Sequence, residues 1–274
     1  MKGGTAINLL FFNMPRLSVD IDLDFCVNLS RDEMLAQRVK ICDLIAKYMS
    51  SQGYTLSPRS KTPHSLDSFV YNYVNSAGMK DNIKIEINYS LRAHVLPIVS
   101  MGFAAKGFTA DFQVTTLSPM EIYAAKTVAL LTRAAARDLY DMNYMIRYGL
   151  FDESEAATYK KCVIFYLAVA TITPPSESDF SAIETITLHK IHTDLTPVIR
   201  DKDSFELEQA KKTVIAFLTD TVRLTENEKE FLKKFKKGLY CPELLFDDAE
   251  TVNRLKSHPM ALWKTAKTRN AQEM

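Results

Sequence analysis

Hydrophobic and polar positions alternate at every second residue in several short segments of the first half of the chain. Residues 19–25 carry apolar side chains at the odd positions and Asp20, Asp22 and Asp24 at the even ones. Successive side chains of a strand point to opposite faces, so this pattern predicts a strand with the three carboxylates on one face. Further strands are predicted at residues 69–74 and 83–89, with weaker candidates at residues 95–99 and 108–114.

Helical signals dominate the rest of the chain. Ser30 and Glu33 form a capping-box pattern at the start of a helix predicted to extend to about residue 49. Ser118, Pro119 and Glu121 combine an N-cap, a proline at the first helical position and an acid that can reach back to the cap. The helices predicted from this second signal onwards lie at residues 118–133, 137–149, 153–172, 178–190, 203–222, 225–237 and 247–256.

The change from strands to helices divides the chain near residue 115. The sequence therefore predicts an α+β protein, in which a mixed β-sheet with helices over residues 1–115 precedes a mainly α-helical domain over residues 116–274. At 274 residues, the chain is long enough for one large domain or two smaller ones. We expect the helical domain to contribute to an active-site cleft between the two.

Composition and charge narrow the class of protein. The chain is 47% hydrophobic, which is enough to fill packed cores. Its net charge is only +1, so its overall electrostatic potential does not by itself indicate a nucleic-acid partner. Its four cysteines are scattered without paired spacing, which is typical of reduced thiols rather than of a disulfide framework or a zinc site. No apolar segment is long enough to span a bilayer and no secretion leader is recognisable, so we expect a cytoplasmic protein without a membrane partner.

The alternating aspartates have two interpretations. Carboxylates a few ångströms apart repel each other electrostatically and raise one another's pKa. A divalent cation bound between them removes this repulsion. Mg²⁺ favours one or two carboxylates together with substrate phosphates. A solvated acidic face that protects an edge strand explains the same pattern. The preceding residues favour the metal, because Gly3 and Gly4 let the backbone approach a ligand and a helix beginning near Thr5 offers its N-terminus to a phosphate.

Charged residues recur on the first two helices of the predicted helical domain. Lys126 and Arg133 are seven residues apart and therefore share a face, and no acid lies four residues from Lys126. Asp138 and Asp141 share a face of the next helix. A solvated surface explains these charges as well, with Arg137 and Asp141 as an i,i+4 ion pair and Asp138 capping a helix start.

In chain order, these segments resemble the motifs of the AbiEii/AbiGii-type nucleotidyltransferase toxin family. GGTA…PRLSVDIDL is similar to a glycine turn followed by R-x-S-x-D-x-D, and IKIEINYS to an acid inside an apolar strand. KTVALLTR and ARDLYD are similar to Lys-x6-Arg and Arg-Asp-x-x-Asp, and their order on adjacent helices makes them the most specific part of the match. The resemblance covers residues 3–147 and, more loosely, 244–263. Family members carry a strand before the glycine turn, so we expect a truncated N-terminal strand here.

The resemblance implies a nucleotidyltransferase-like fold and a metal-dependent transfer of a nucleotidyl group from an NTP, with Mg²⁺ or Mn²⁺ as cofactor. It further implies the toxin of a bacterial toxin–antitoxin or phage-defence system, with a separate antitoxin protein as partner and tRNA as the first acceptor to test. A small hydroxylated molecule or a protein is an alternative acceptor. A relative that only binds a nucleotide or a partner is a third possibility.

Roles for individual residues follow from the same resemblance. The expected catalytic residues are Asp20, Asp22, Glu86, Lys126 and Asp138, with Asp20, Asp22 and Glu86 as metal ligands and Asp24 as an accessory acid. The expected substrate-binding residues are Gly3, Gly4, Thr5, Arg16, Ser18, Arg133, Arg137 and Asp141. In these roles the glycines and Ser18 hold phosphates, while Lys126 and Arg133 neutralise the charge that develops on them. Glu86 is also a candidate base for the acceptor hydroxyl.

Overall fold

A mixed β-sheet and a larger group of helices make up the fold. The computed structural model describes residues 1–107, 111–149, 151–170, 179–200 and 203–272. The strands are β1 (Ile21–Asp24), β2 (Thr55–Leu56), β3 (Leu66–Val74), β4 (Lys80–Asn88), β5 (Val99–Met101) and β6 (Val114–Thr116). The arrangement confirms the predicted α+β class, with strands in the first half and helices in the second.

Helices precede the sheet and follow it. The α-helices are α1 (Gly3–Ala6), α2 (Arg31–Ser51), α3 (Pro119–Arg133), α4 (Ala136–Tyr148), α5 (Glu153–Ala170), α6 (Ser181–Glu184), α7 (Leu188–Lys190), α8 (Leu207–Thr221), α9 (Glu226–Lys236), α10 (Ala249–Lys256) and α11 (Pro259–Gln272). Two π-helical turns, Ile7–Phe11 and Ile191–Leu195, continue α1 and α7, and 3₁₀ turns lie at Thr196–Val198 and Pro242–Leu244. Within the described residues, no helix combines the length and apolar character that a bilayer crossing requires.

The main sheet has the strand order β1-β4-β3-β2. β1 runs parallel to β4, whereas β4, β3 and β2 are antiparallel neighbours. The parallel register places Asp22 opposite Glu86. On the other side of β1, the backbone amide of Lys2 donates to the Asp22 carbonyl at 2.8 Å. The N-terminus of the chain therefore covers part of the β1 edge.

The weaker strand predictions fail in part. Residues 95–98 form no strand, because the amides of Val95 and Leu96 donate to the Glu121 carboxylate at 2.7 and 2.9 Å instead of to a neighbouring strand. The strand of this region is β5, which pairs with β6. Of the strand predicted at 108–114, residues 108–110 lie outside the described residues, and β6 begins only at Val114.

The two helix-start signals behave differently. The capping box of α2 is confirmed, with the Glu33 amide donating to Ser30 Oγ at 3.3 Å and the Ser30 amide to Glu33 Oε2 at 3.1 Å. α3 begins at Pro119 as predicted, but the reciprocal cap is wrong. Glu121 is buried and accepts from Tyr166 as well as from residues 95 and 96. Burial raises the pKa of this carboxyl to about 6.

The helical predictions also need correction at residues 178–190 and at the end of the chain. The single helix predicted at 178–190 is two short helices, α6 and α7, and Thr187 caps the second by accepting from the Lys190 amide. Residues 171–178 of the two predictions that meet there lie outside the described residues. α11 was not predicted, because its N-cap position is His258, whose Nδ1 accepts from the Ala261 amide at 3.3 Å. Histidine is not among the usual N-cap residues.

Two apolar clusters support these elements. The smaller cluster packs α2 against one face of the sheet, through Met34, Met49, Phe69, Ile85 and Ile87 among others. The larger cluster holds the helices together and includes Ala6, Ile7 and Leu10 from the N-terminal segment. The segment that leads into β1 is thus anchored in the helical core, and the division of the chain at residue 115 stays a prediction.

Candidate active site

A cleft of about 470 Å³ lies between the β1–β4 edge of the sheet and the helices α3 and α4. Its lining consists of Gly4, Arg16, Ser18, Asp20, Asp22, Lys84, Glu86, Lys126, Arg133, Ala135, Ala136, Arg137, Asp138 and Asp194. Of the residues predicted from the sequence, all except Gly3, Thr5, Asp24 and Asp141 line this cleft. The fold therefore gathers residues from five separate segments of the chain.

Carboxylates form the sheet side of the cleft. Asp22 and Glu86 occupy opposite positions on β1 and β4, and Asp20 is exposed just before β1 begins. Burial raises the pKa of Asp22; Lys2 opposes that shift, whereas Glu86 and Asp20 add to it. The ammonium of Lys84 lies 2.8 Å from Glu86 Oε1 and compensates part of this negative charge.

Asp24, the expected accessory acid, does not line the cleft. Its side chain is 3% exposed, and its carboxylate lies 2.5 Å from the Lys2 ammonium. Burial raises the pKa of this group, while Lys2 opposes the shift. The alternation of residues 19–25 thus predicts on which face of the strand Asp24 lies. It does not predict the ion-pair partner of Asp24, which is Lys2 from the N-terminus.

The two glycines permit a close approach of the backbone to the acidic side. Gly3 has a φ of +72°, and a Cβ at this position would lie 2.1 Å from Asp22 Oδ2. A Cβ at Gly4 would lie 2.7 Å from both Arg16 Nη2 and Ser18 Oγ. A side chain at either position would collide with these polar groups, so their close packing against the backbone requires glycine. Thr5 is buried behind them, where its hydroxyl donates to the Asp20 carbonyl and to Ser18 Oγ.

Cations from α3 form the opposite side of the cleft, and carboxylates from α4 hold them. Lys126 Nζ lies 2.9 Å from Asp138 Oδ1 and 3.0 Å from Asp141 Oδ2. Arg133 makes two hydrogen bonds to Asp138, at 2.6 and 2.9 Å, although its side chain is 61% exposed. Burial lowers the pKa of Lys126, but Asp141 and Asp138 outweigh it and raise the pKa. Burial by itself would raise the pKa of Asp138, but the positive charges of Lys126 and Arg133 outweigh it, so the pKa of Asp138 is lowered.

A buried ion pair joins the N-terminal segment to α4. Arg16 Nε and Nη2 donate to the two oxygens of Asp141, each at 2.7 Å, across 125 residues of sequence. Burial lowers the pKa of Arg16, and Asp141 outweighs that effect. Asn8 fixes the same segment, because it accepts from the Arg16 amide at 3.0 Å and donates to the Gly4 carbonyl at 2.6 Å. The fork geometry of this pair sets the distance between the glycine turn and the helices.

The alternative based on local ion pairs in α4 is wrong. Arg137 does not pair with Asp141, because its Nε donates to the Asp194 carbonyl at 2.8 Å. α4 begins after Ala135 without a side-chain cap, so Asp138 is not its capping residue. Both aspartates are buried and contact cations from other segments.

A comparison with known protein families identifies the family of this chain. The family model described as nucleotidyl transferase AbiEii toxin, type IV toxin–antitoxin system, matches residues 1–237. The chain belongs to this family. It is thus a nucleotidyltransferase toxin of a type IV toxin–antitoxin system, and such a toxin implies an antitoxin partner.

A solved structure shares the fold of this AbiEii-family toxin. It is MenT4, a nucleotidyltransferase toxin from Mycobacterium tuberculosis, at 17% sequence identity and a TM-score of 0.58. The alignment covers 98% of this chain and 84% of MenT4. At this identity the likeness establishes the fold alone. No curated protein matches the chain.

Sequence reasoning missed three residues that line or support the cleft of this AbiEii-family toxin: Lys84, Asp194 and Asn8. Lys84 stands two positions before Glu86 in an alternating strand, so the same pattern that found the acid also places Lys84 on its face. Asp194 and Asn8 carry no comparable signal. The π-helical turn brings Asp194 to the cleft from a segment whose own sequence shows no motif, and Asn8 acts through backbone contacts.

The donor groups of the cleft fit a hard divalent cation. Within the described residues, no group of three or more His, Cys, Asp or Glu side chains is arranged to hold a metal by itself. Asp20, Asp22 and Glu86 nevertheless offer carboxylate oxygens on one side of the cleft. Mg²⁺ is commonly bound by one or two carboxylates and completed by substrate phosphates. The identity of the ligands stays a prediction.

Proposed function

We propose that this toxin is an NTP- and Mg²⁺-dependent nucleotidyltransferase whose acceptor is tRNA. The observation that carries the proposal is the division of the cleft, in which carboxylates of the sheet face paired cations of α3. A triphosphate with its cation matches such a surface, since the metal meets the acids and the phosphate oxygens meet Lys126 and Arg133. These substrates imply a cytoplasmic enzyme.

The sheet side supplies the metal-binding and base functions. Asp20, Asp22 and Glu86 are the residues that would hold Mg²⁺ or Mn²⁺, which when bound orients the triphosphate and offsets its charge. Glu86 is also our candidate for the group that accepts the proton of the attacking hydroxyl. Gly4 and Ser18 are our candidates for the surface that contacts the phosphates, since both line the cleft and the missing Cβ lets Ser18 and Arg16 pack directly against the backbone of Gly4.

The helical side supplies positive charge in a fixed position. Arg16, Lys126 and Arg133 are joined by Asp138 and Asp141, so this group carries three cations and two carboxylates and has an excess of one positive charge. The carboxylates hold the ammonium and guanidinium groups in place before the substrate arrives. Such prearranged donors are more effective than mobile ones, because they do not reorganise during the reaction.

Incubation of the purified protein with each labelled NTP, Mg²⁺ and total tRNA tests the proposal. We expect label on RNA and pyrophosphate as the second product, and neither with the double variant Asp20→Asn, Asp22→Asn. Label on protein or on a small molecule would replace tRNA as the acceptor. Label on no acceptor, from protein that still binds NTP, would indicate a relative without transferase activity.

A role in phage defence is part of the same proposal. Phage should form fewer plaques on a host that carries the toxin with its antitoxin than on a host that carries the inactive double variant Asp20→Asn, Asp22→Asn with the same antitoxin. Equal plaque numbers in the two hosts would separate the enzyme from phage defence.

A further inference from the structure

A second cavity lies outside the active-site cleft, between the sheet domain and α11. Its volume is about 470 Å³, and its lining includes Arg31, His64, Arg92 and Trp263. No carboxylate is among the described residues that line it. Cavities of this size, at the boundary between two packed units, are a common location for ligands. The protein as a whole carries a net charge of only +1, so the basic lining is a local feature.

Two arginines give the cavity its charge. Arg31 is the first residue of α2 and is exposed. Two backbone carbonyls hold the guanidinium of Arg92 in place. Its Nε donates to the Leu29 carbonyl at 3.2 Å and its Nη1 to the Tyr89 carbonyl at 3.1 Å. In the part of the chain that the structure describes, these two contacts go to neutral acceptors. The positive charge of Arg92 is therefore available to an anion.

Trp263 adds an aromatic surface to these cations. Its side chain is 56% exposed on the first turns of α11, and the Lys267 ammonium lies 5.3 Å from the centre of its ring. An exposed aromatic ring beside cations, without acids, is the combination on which bases of single-stranded nucleic acids stack while their phosphates contact the cations.

The lining of the cavity and that of the active-site cleft include residues close together in the chain. Glu86 lines the active-site cleft, and Ser90 lines the cavity only four residues further along the chain. Four extended residues span at most about 14 Å. A few nucleotides of single strand can cover that distance.

We propose that this cavity binds a single-stranded segment of the RNA acceptor, with a base stacked on Trp263 and phosphates on Arg92 and Arg31. The inference rests on the proposed function, because it assumes that the acceptor is RNA. It assigns the recognition of the acceptor to a surface outside the catalytic motifs.

Trp263 is the single tryptophan of the chain, so tryptophan fluorescence reports on this cavity alone. We expect a short single-stranded RNA to quench this fluorescence in a saturable manner, with an affinity that falls as salt rises. Arg92→Gln should weaken the binding roughly tenfold, and Trp263→Ala should weaken it similarly when binding is followed by the anisotropy of labelled RNA. Tyr48→Ala is the matched control, because Tyr48 is an aromatic residue 63% exposed on α2 that lines neither the cleft nor this cavity. It should bind RNA like the wild type.

The possible results separate this inference from the proposed function. Quenching that persists in the Asp20→Asn, Asp22→Asn variant, which has lost transfer, would support a separate RNA site. Transfer to RNA without any quenching, or quenching unchanged by Arg92→Gln, would overturn the inference and leave the proposed function intact. Equal quenching by an NTP alone would identify a second nucleotide site instead. Quenching by RNA without transfer to RNA would overturn the proposed function, and with it the assignment of the bound RNA as the acceptor, and would leave only an RNA-binding cavity.

Discussion

Asp22 of β1 and Glu86 of β4 lie opposite each other on neighbouring parallel strands. Lys84 is on the same face of β4, and its ammonium lies 2.8 Å from Glu86. Two carboxylates side by side repel each other, and a nearby ammonium offsets part of that repulsion. The structure therefore contains a positive side chain at the location where we propose that a divalent cation binds.

Replacing Lys84 by methionine should strengthen the binding of a metal ion in the absence of nucleotide. Unit charges about 4 Å apart interact by about 1 kcal/mol even in bulk water, so removal of the ammonium should tighten Mn²⁺ binding roughly fivefold or more. The free Mn²⁺ signal in electron paramagnetic resonance measures this directly. Lys80→Met is the control, since Lys80 is an exposed residue at the start of the same strand. Unchanged or weaker Mn²⁺ binding by Lys84→Met would show that Lys84 does not compete with the metal.

Mg²⁺ and an NTP together should raise the melting temperature more than the sum of their separate effects. The physical reason is that the metal and the phosphates complete each other's ligands, and a ligand that binds only the native state stabilises it. Differential scanning fluorimetry with each component alone and with both measures the effect. The double variant Asp20→Asn, Asp22→Asn should lose the excess. An excess that survives in this variant would locate the metal elsewhere.

Local sequence patterns placed several residues of the candidate site on the correct face of their element. The alternation in β4 places Glu86 on one face of its strand, and helical spacing places Lys126 and Arg133 on one face of α3, because these are properties of one element. The resemblance to the family motifs then selected these residues as candidates. Local patterns do not predict the ion-pair partner of each residue. Arg16 binds Asp141 across 125 residues, which depends on how the N-terminal segment packs on α4. No spacing rule predicts such a contact.

Glu121 shows how tertiary structure overrides a correct local rule. Its position three residues after Ser118 matches a capping box, and the same pattern at Ser30 and Glu33 does form one. Glu33 is exposed, whereas Glu121 faces the interior, where two backbone amides and Tyr166 donate to it. A buried carboxylate needs several donors, and the cap offers fewer of them.

Replacing His94 by leucine should make the protein more resistant to acid. His94 is buried, neither of its ring nitrogens has a hydrogen-bond partner among the described residues, and burial lowers its pKa to about 4. Because the unfolded state binds the proton more strongly, the native state loses stability as the pH falls from about 6.5 towards 4, by at most about 3 kcal/mol from this residue. Urea unfolding between pH 4 and pH 7 should show a smaller loss for His94→Leu.

The control for this experiment is His192→Leu, which changes an exposed histidine of the π-helical turn. It should retain the acid sensitivity of the wild type. His258, whose pKa burial also lowers to about 4, should account for part of the loss that remains in His94→Leu. Identical pH profiles for wild type and His94→Leu would show that protonation of His94 does not limit the stability of the native state in acid.

Lys126→Met should abolish nucleotide transfer and also destabilise the protein, so this variant alone does not separate the two effects. Its ammonium is largely buried between Asp138 and Asp141, at 2.9 and 3.0 Å. Removing one partner of a buried charge group typically costs about 3–5 kcal/mol, because the remaining charges lose their compensation. A stability loss of that size, measured by urea unfolding, would confirm that Lys126 is part of this group.

The double variant Lys126→Met, Asp138→Asn separates stability from catalysis. It removes one positive and one negative charge, so the remaining cations, Arg16 and Arg133, still exceed the remaining carboxylate, Asp141. We expect it to recover most of the lost stability, since no buried carboxylate is left without a cation. Transfer should stay at least a hundredfold below wild type, because the ammonium that faces the phosphates and the carboxylate of Asp138, itself an expected catalytic residue, are both absent. Recovery of stability together with wild-type transfer would show that Lys126 serves the fold alone.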